Sequence, residues 1–277
     1  MSYYKVLGLE EEPFSTSPDP AFFYESAEHR EALLRLEIAI KQKRGASLVL
    51  GDVGTGKTTL ARKLFHLFSD KAKYDFSIIL DPGSETELDF LSSLMDVFEI
   101  KVESPSLYGY RKALEQYLFQ RGVSENKTVI LLIDEAQKLG PGSIEVLRTL
   151  LNYETNKIKL LQLVLFAQTE LLPQVQQIRN FWDRIALKYI LNPLSLIETK
   201  EIIDFRLRQA GYKKNSPLFA EEAVNLIYQQ TEGCPRRIMM ICHNALESLI
   251  VRNKQDVDAD IVRGLISEEA RIVNARS

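Results

Sequence analysis

Eight consecutive residues, Gly51-Asp52-Val53-Gly54-Thr55-Gly56-Lys57-Thr58, limit what this 277-residue chain can fold into more than any other stretch does. Glycine at 51, 54 and 56 permits turns that a side chain would forbid and lets backbone N–H groups approach an anion closely. The apolar run at 47–50 ends directly before Gly51, and Leu60 and Leu64 continue an amphipathic pattern after Thr58. A strand, a glycine-rich turn and a helix N-terminus in that order make a phosphate cradle, to which the helix adds its positive end. In such a cradle Lys57 reaches the β- and γ-phosphates as a point charge and the Thr58 hydroxyl ligates a magnesium ion, so the expected ligand is ATP with Mg2+. The expected binding set is Gly51, Asp52, Val53, Gly54, Thr55, Gly56, Lys57, Thr58 and Thr59.

A second element supports the first. The apolar run Val129-Ile130-Leu131-Leu132-Ile133 delivers Asp134 and Glu135 at its C-terminal end, where open α/β sheets bind ligands. Two adjacent carboxylates suit two roles: Asp134 holds the metal and its water, and Glu135 polarises the water that attacks the γ-phosphoryl group. Taken alone, an apolar run ending in two acids is also what a strand leading into a solvated turn looks like.

Around these motifs, apolar runs at 47–50, 77–80, 128–133 and 162–166 alternate with helical patterns at 26–43, 85–99, 108–120 and beyond Gly142. Continuous apolar strands separated by helices predict an α/β fold with a parallel sheet covered on both faces. After Pro193 the alternation stops, and amphipathic patterns at 197–210, 220–230, 236–251 and 258–275 predict a small all-helical domain. The expected organisation is an N-terminal lead-in over 1–25 packing on the α/β core, a nucleotide-binding domain over 26–194 and a helical lid over 195–277.

Composition narrows the function classes. Cys234 and Cys242 are the two cysteines, with no CxxC spacing and no zinc-like ligand cluster, so both are expected to be packing residues in a reduced, cytoplasmic setting. No run approaches the roughly 18 apolar residues a membrane span needs, so recruitment to a membrane would go through a partner. A net charge of −3 gives no general attraction to nucleic acid, and Lys41, Lys43 and Arg44 read as a solvated helix end.

The order of phosphate loop, acidic strand, polar residue after a further strand and helical lid resembles an AAA+ ATPase. Within that class, Gly8-Leu9, Pro13-Phe14, Pro18-Asp19-Pro20, Phe23-Tyr24 and His29-Arg30-Glu31-Ala32-Leu33 resemble the ExeA or GspA group, associated with type II secretion and with pilus and exopolysaccharide loci. The resemblance runs to about Ala275. It implies that Gln168, in Phe166-Ala167-Gln168-Thr169, is the sensor 1 residue that orients the attacking water. It implies that Arg184 is a finger directed at a neighbouring subunit's nucleotide, with Arg179 as the substitute, and hence that the enzyme works as a homo-oligomer. Gly233-Cys234-Pro235-Arg236 matches the group's Gly-x-Pro-Arg pattern and makes Arg236 the sensor 2 residue, with Arg237 beside it as the alternative. The lead-in implies closure over the adenine, although its aromatic residues also suit simple plugging of an apolar groove.

Longer members of the group carry a membrane-spanning segment and a peptidoglycan-binding region after the ATPase. This chain ends near the end of its lid, so it is expected to be either a short relative or an ATPase domain, and a cell-wall role does not carry over to the residues present. The leading expectation is an ATPase that acts on an inner-membrane component of a secretion, pilus or surface-polysaccharide assembly. The alternative is a DNA-acting regulator of the transposition type that forms ATP-loaded filaments on duplex DNA, which would need basic side chains lining a channel and binding that falls steeply with salt. A third is a nucleotide-gated clamp with little turnover.

Overall fold

A computed structural model describes residues 3–16, 19–69, 71–83, 86–103, 105–214 and 216–274. Parts of the expectations for Pro18, Glu85 and Ala275 lie outside the described residues. The chain divides into two compact units: one is 27–53 with 57–191, the other 1–26 with 54–56 and 192–277.

The first unit is a five-stranded parallel sheet with helices on both faces. Its strands are β1 (Ala46–Leu50), β2 (Tyr74–Ile79), β3 (Thr128–Ile133), β4 (Leu161–Ala167) and β5 (Ile185–Ile190), in the spatial order β2-β3-β4-β1-β5. The three central strands are buried along their whole length, which is why they read as unbroken apolar runs. Successive residues of β3 face opposite sides. Val129, Leu131 and Ile133 join a cluster with Phe90, Leu94, Leu114 and Leu147, whereas Ile130 and Leu132 join Leu36, Leu60, Leu64 and Phe68 on the other face. The second face is covered by the helices here numbered α2 (Ala27–Lys41) and α3 (Lys57–Ser69), α1 being a short turn at Tyr3–Val6 in the other unit. The first face carries α4 (Glu87–Val97), α5 (Leu107–Phe119), α6 (Pro141–Leu150) and α7 (Leu171–Gln177), followed by the short α8 (Arg179–Trp182).

Two departures from the sequence-based expectation concern the sheet edges. β2 begins at Tyr74, three residues before the expected strand, and β5 has no counterpart in it. Both are edge strands: β2 is half-exposed for most of its length, and β5 alternates buried Ile185 with exposed Ala186, so neither presents a continuous apolar run.

The second unit gathers α9 (Leu196–Gln209), α10 (Glu221–Thr231), α11 (Pro235–Val251) and α12 (Ala259–Asn274) around one core. Ser195 caps α9 in a reciprocal pair with Glu198. Gly233, at φ +73, lies so close to the Leu194 carbonyl that a Cβ would sit 1.9 Å from that oxygen, so the turn before α11 requires glycine. Leu9, Phe14 and Phe22 belong to this helical core, with Phe14 edge-on to Phe219. The lead-in was expected to pack on the α/β core. Its anchoring here has a polar cause as well: the Arg206 guanidinium donates to the Pro13 and Ser15 carbonyls, and the Glu10 N–H donates to the Ala210 carbonyl. Cys242 is fully buried in the same core, where desolvation pushes its thiol pKa up, as suits a packing residue.

Candidate active site

Parallel pairing fixes which strand ends meet. β3, β4 and β1 are neighbours running in one direction, so Asp134, Gln168 and Gly51 emerge side by side at one sheet edge. The Gly51 N–H donates to the Ala167 carbonyl at 3.2 Å, which fastens the start of the loop to the end of β4.

The loop turns through Gly54 and Gly56 at φ +83 and +98 and enters α3 at Lys57. Val53 is exposed on the outside of the turn, whereas Thr55 and Lys57 are buried. The Lys57 ammonium donates to the Gly51 and Asp52 carbonyls, each at 2.8 Å, so the loop folds around the cation that its sequence predicts for phosphate. Thr58 and Thr59 lie in the first turn of α3, where unpaired N–H groups and the helix dipole favour an anion.

The Thr58 hydroxyl donates to Asp134 Oδ2 at 2.7 Å. A hydroxyl and a carboxylate brought together at the first turn of a phosphate loop are hard oxygen ligands of the kind magnesium takes alongside substrate phosphates and water. Asp134 is 2% exposed, and burial holds its carboxyl above the ordinary carboxylate range, against the hydrogen bonds from Thr58 and the Glu135 N–H. A divalent cation there would compensate that buried charge, so the residues fit the ion.

Glu135 adopts a left-handed conformation, φ +52 and ψ +35, at a cost of roughly 1–2 kcal/mol for a residue with a Cβ. Its N–H donates to Asp134 Oδ1 at 3.0 Å. Its Oε2 accepts a hydrogen bond from Gln137 Nε2 at 2.6 Å, and Gln137 Oε1 accepts from the Gln168 N–H at 3.1 Å. Gln168 is thus tied to the acidic pair through its backbone. Thr169, next in the chain, donates from its hydroxyl to Asp52 Oδ1 at 3.1 Å, linking the end of β4 to the phosphate loop. Gln137 and Thr169 received no role from sequence reasoning. The signal for Gln137 was its place two residues after Glu135 in the tight turn that follows β3.

The remaining predicted residues are arginines. Arg184, between α8 and β5, donates from its guanidinium to the Arg148 carbonyl at 3.2 Å. Arg179 is largely exposed, with Asp183 4.0 Å away. In the helical unit, Cys234 and Pro235 open α11 and place Arg236 in its first turn, exposed. The Gly54–Gly56 tip of the loop groups with this unit: the Arg236 N–H donates to the Gly54 carbonyl at 3.3 Å, and a Cβ on Gly54 would come within 2.7 Å of Arg236 Cβ. Arg237 instead donates to the Gln230 carbonyl at 2.6 Å.

A family model described as an AAA domain matches residues 40–175. General secretion pathway protein A of Aeromonas hydrophila is 35% identical over 257 residues, covering 92% of this chain and 46% of that protein, so the chain spans less than half the length of this relative. Among solved structures, Drosophila ORC bound to DNA superimposes with a TM-score of 0.67 at 22% identity, covering 97% of this chain and 66% of that one. The Aeropyrum pernix ORC2 protein in its ADPNP-ADP complexes gives 0.65 at 16%, covering 94% and 71%. At these identities the structural likeness is one of fold.

Proposed function

Because the chain is an AAA+ protein of the General secretion pathway protein A type, we propose that it hydrolyses Mg-ATP and couples the cycle to its own oligomerisation and to remodelling of an inner-membrane assembly component. The observation that carries the catalytic part is the pairing of Thr58 with Asp134 beside Glu135 at the mouth of the phosphate loop.

In this reading Gly51–Gly56 and the α3 N-terminus bind the phosphates through backbone N–H groups, and Lys57 exchanges its two loop carbonyls for phosphate oxygens. Thr58 and Asp134 would hold the magnesium ion, which would supply charge neutralisation at the phosphate oxygens. Glu135 orients and deprotonates the attacking water in line with the leaving ADP, and Gln168 helps to position that water. Arg184 reaches a neighbouring subunit's nucleotide on assembly, and Arg236 reports nucleotide state to the helical lid. Among the described residues no helix is long and apolar enough to cross a membrane. In this reading the protein works in the cytoplasm and reaches the inner membrane through its partner.

The test records light scattering and phosphate release in the same samples with ATP and Mg2+, with and without duplex DNA. ATP assembles the wild type; Lys57→Ala loses nucleotide binding; Glu135→Gln binds ATP and stays assembled with only a slow residual phosphate release; Arg184→Ala loses turnover. Full turnover in Glu135→Gln removes that residue from the chemistry. Assembly or turnover triggered by DNA alone replaces the secretion reading with the DNA-acting one, whose salt dependence would then be steep.

A further inference from the structure

We propose that Gln137 is a positioning residue for catalysis: it clamps the Glu135 carboxylate and ties it to the end of β4, so that base and sensor strand move as one. The inference rests on the reading of Glu135 as the group that activates water.

The geometry is specific. A glutamine amide carries a donor and an acceptor on one planar group. Here each is used on a different strand end: Nε2 donates to Glu135 Oε2 at 2.6 Å, and Oε1 accepts from the Gln168 N–H at 3.1 Å. Gln137 sits in the short turn of helix at Ala136–Lys138 that follows the left-handed Glu135. That backbone conformation directs the Glu135 side chain back toward its own turn, within reach of a residue only two positions on. Without the amide, a half-buried carboxylate keeps its rotamer freedom, and a base that is free to rotate spends less time in line with the phosphoryl group.

The same amide gives the arrangement a second consequence. The end of β4 is held on one side by Gln137 and on the other by the Thr169 hydroxyl on Asp52 of the phosphate loop. Glu135, β4 and the loop therefore form one hydrogen-bonded circuit. Phosphate binding that shifts Asp52 is transmitted through Thr169 and Gln137 to the base.

Two substitutions of similar size separate the bonds. Gln137→Glu keeps an acceptor for the Gln168 N–H but places a carboxylate against Glu135; Gln137→Leu removes both bonds. The expected result is a fall in kcat of about tenfold or more in each variant, the scale of one hydrogen bond to a charged group, with KM for ATP and thermal stability close to wild type. In a Glu135→Gln background, single-turnover phosphate release shows no further loss from Gln137→Leu, because a residue that acts through Glu135 has nothing left to position. Wild-type turnover in Gln137→Glu, or a loss in Gln137→Leu that adds in full to that of Glu135→Gln, overturns the inference while leaving the ATPase reading intact. Full turnover in Glu135→Gln alone overturns the reading itself, and the inference with it.

Discussion

Asp134 pays for its position. A carboxylate removed from water and raised in pKa by that burial is a cost in the nucleotide-free protein, which the proposed divalent cation would offset. The sign follows from linkage. With the folded pKa above the unfolded value, stability is complete below the ordinary aspartate range near about pH 3.9 and is lost as pH rises through the raised folded value. Asp134→Asn cannot ionise; its oxygen keeps the bond from the Glu135 N–H, and its amide nitrogen can donate to the Thr58 hydroxyl, reversing the bond that the carboxylate accepts. The variant is therefore expected to melt above the wild type at neutral pH without nucleotide, with the gap closing as the pH is lowered toward that range. It also loses the thermal stabilisation that Mg2+ with ATP gives the wild type. Thermal melts at the two pH values, with and without ligand, measure both effects. The companion change, Lys57→Ala, is expected to weaken nucleotide binding by about a hundredfold or more, since it removes the two charge-assisted phosphate contacts proposed for this side chain; titration with a fluorescent nucleotide measures it. At this scale the phosphate loop and the acidic pair were legible in the sequence because their chemistry depends on residue type at fixed spacing. Gln137 was not, because its role depends on the left-handed turn at Glu135, and nothing in the residue types requires that turn.

The elements divide by how completely they are buried. β1, β3 and β4 were legible because both faces are covered, and a fully covered strand must be apolar throughout. β5 went unread because as an edge strand it alternates, with Lys188 and Tyr189 in its middle. The helices of the second unit followed from their amphipathic spacing, but the destination of the lead-in did not. Aromatic residues near a chain start announce that they need an apolar partner without saying which, and here α9 and Phe219 supply it. Phe14→Ala thus belongs to the stability of the helical unit. It is expected to cost about 3–5 kcal/mol, as truncation of a fully buried phenylalanine does. Denaturation followed by circular dichroism should show that loss in the helical transition, with the Mg-ATP affinity of the phosphate loop retained; loss of nucleotide affinity with unchanged stability would return the lead-in to the adenine.

At the scale of the molecule, the described residues form three clusters of buried hydrophobic side chains, two on the sheet faces of the α/β unit and one in the helical unit, and each draws its residues from one unit. Units with separate cores are expected to unfold in separate calorimetric transitions. A ligand bound by one unit alone raises that unit's transition alone, by about 2.7 kcal/mol at a hundred times its Kd. This turns the proposed role of Arg236 into a calorimetric question. If its guanidinium engages the γ-phosphate, a non-hydrolysable ATP analogue with Mg2+ raises both transitions, and ADP, which lacks that phosphate, raises the α/β transition more than the helical one. In Arg236→Ala the analogue then shifts the α/β transition only. An unchanged helical shift in that variant, together with its loss in Arg237→Ala, would move the contact one residue along α11; loss in neither would leave the lid without a nucleotide sensor and the coupling of ATP to partner remodelling without a carrier in this helix.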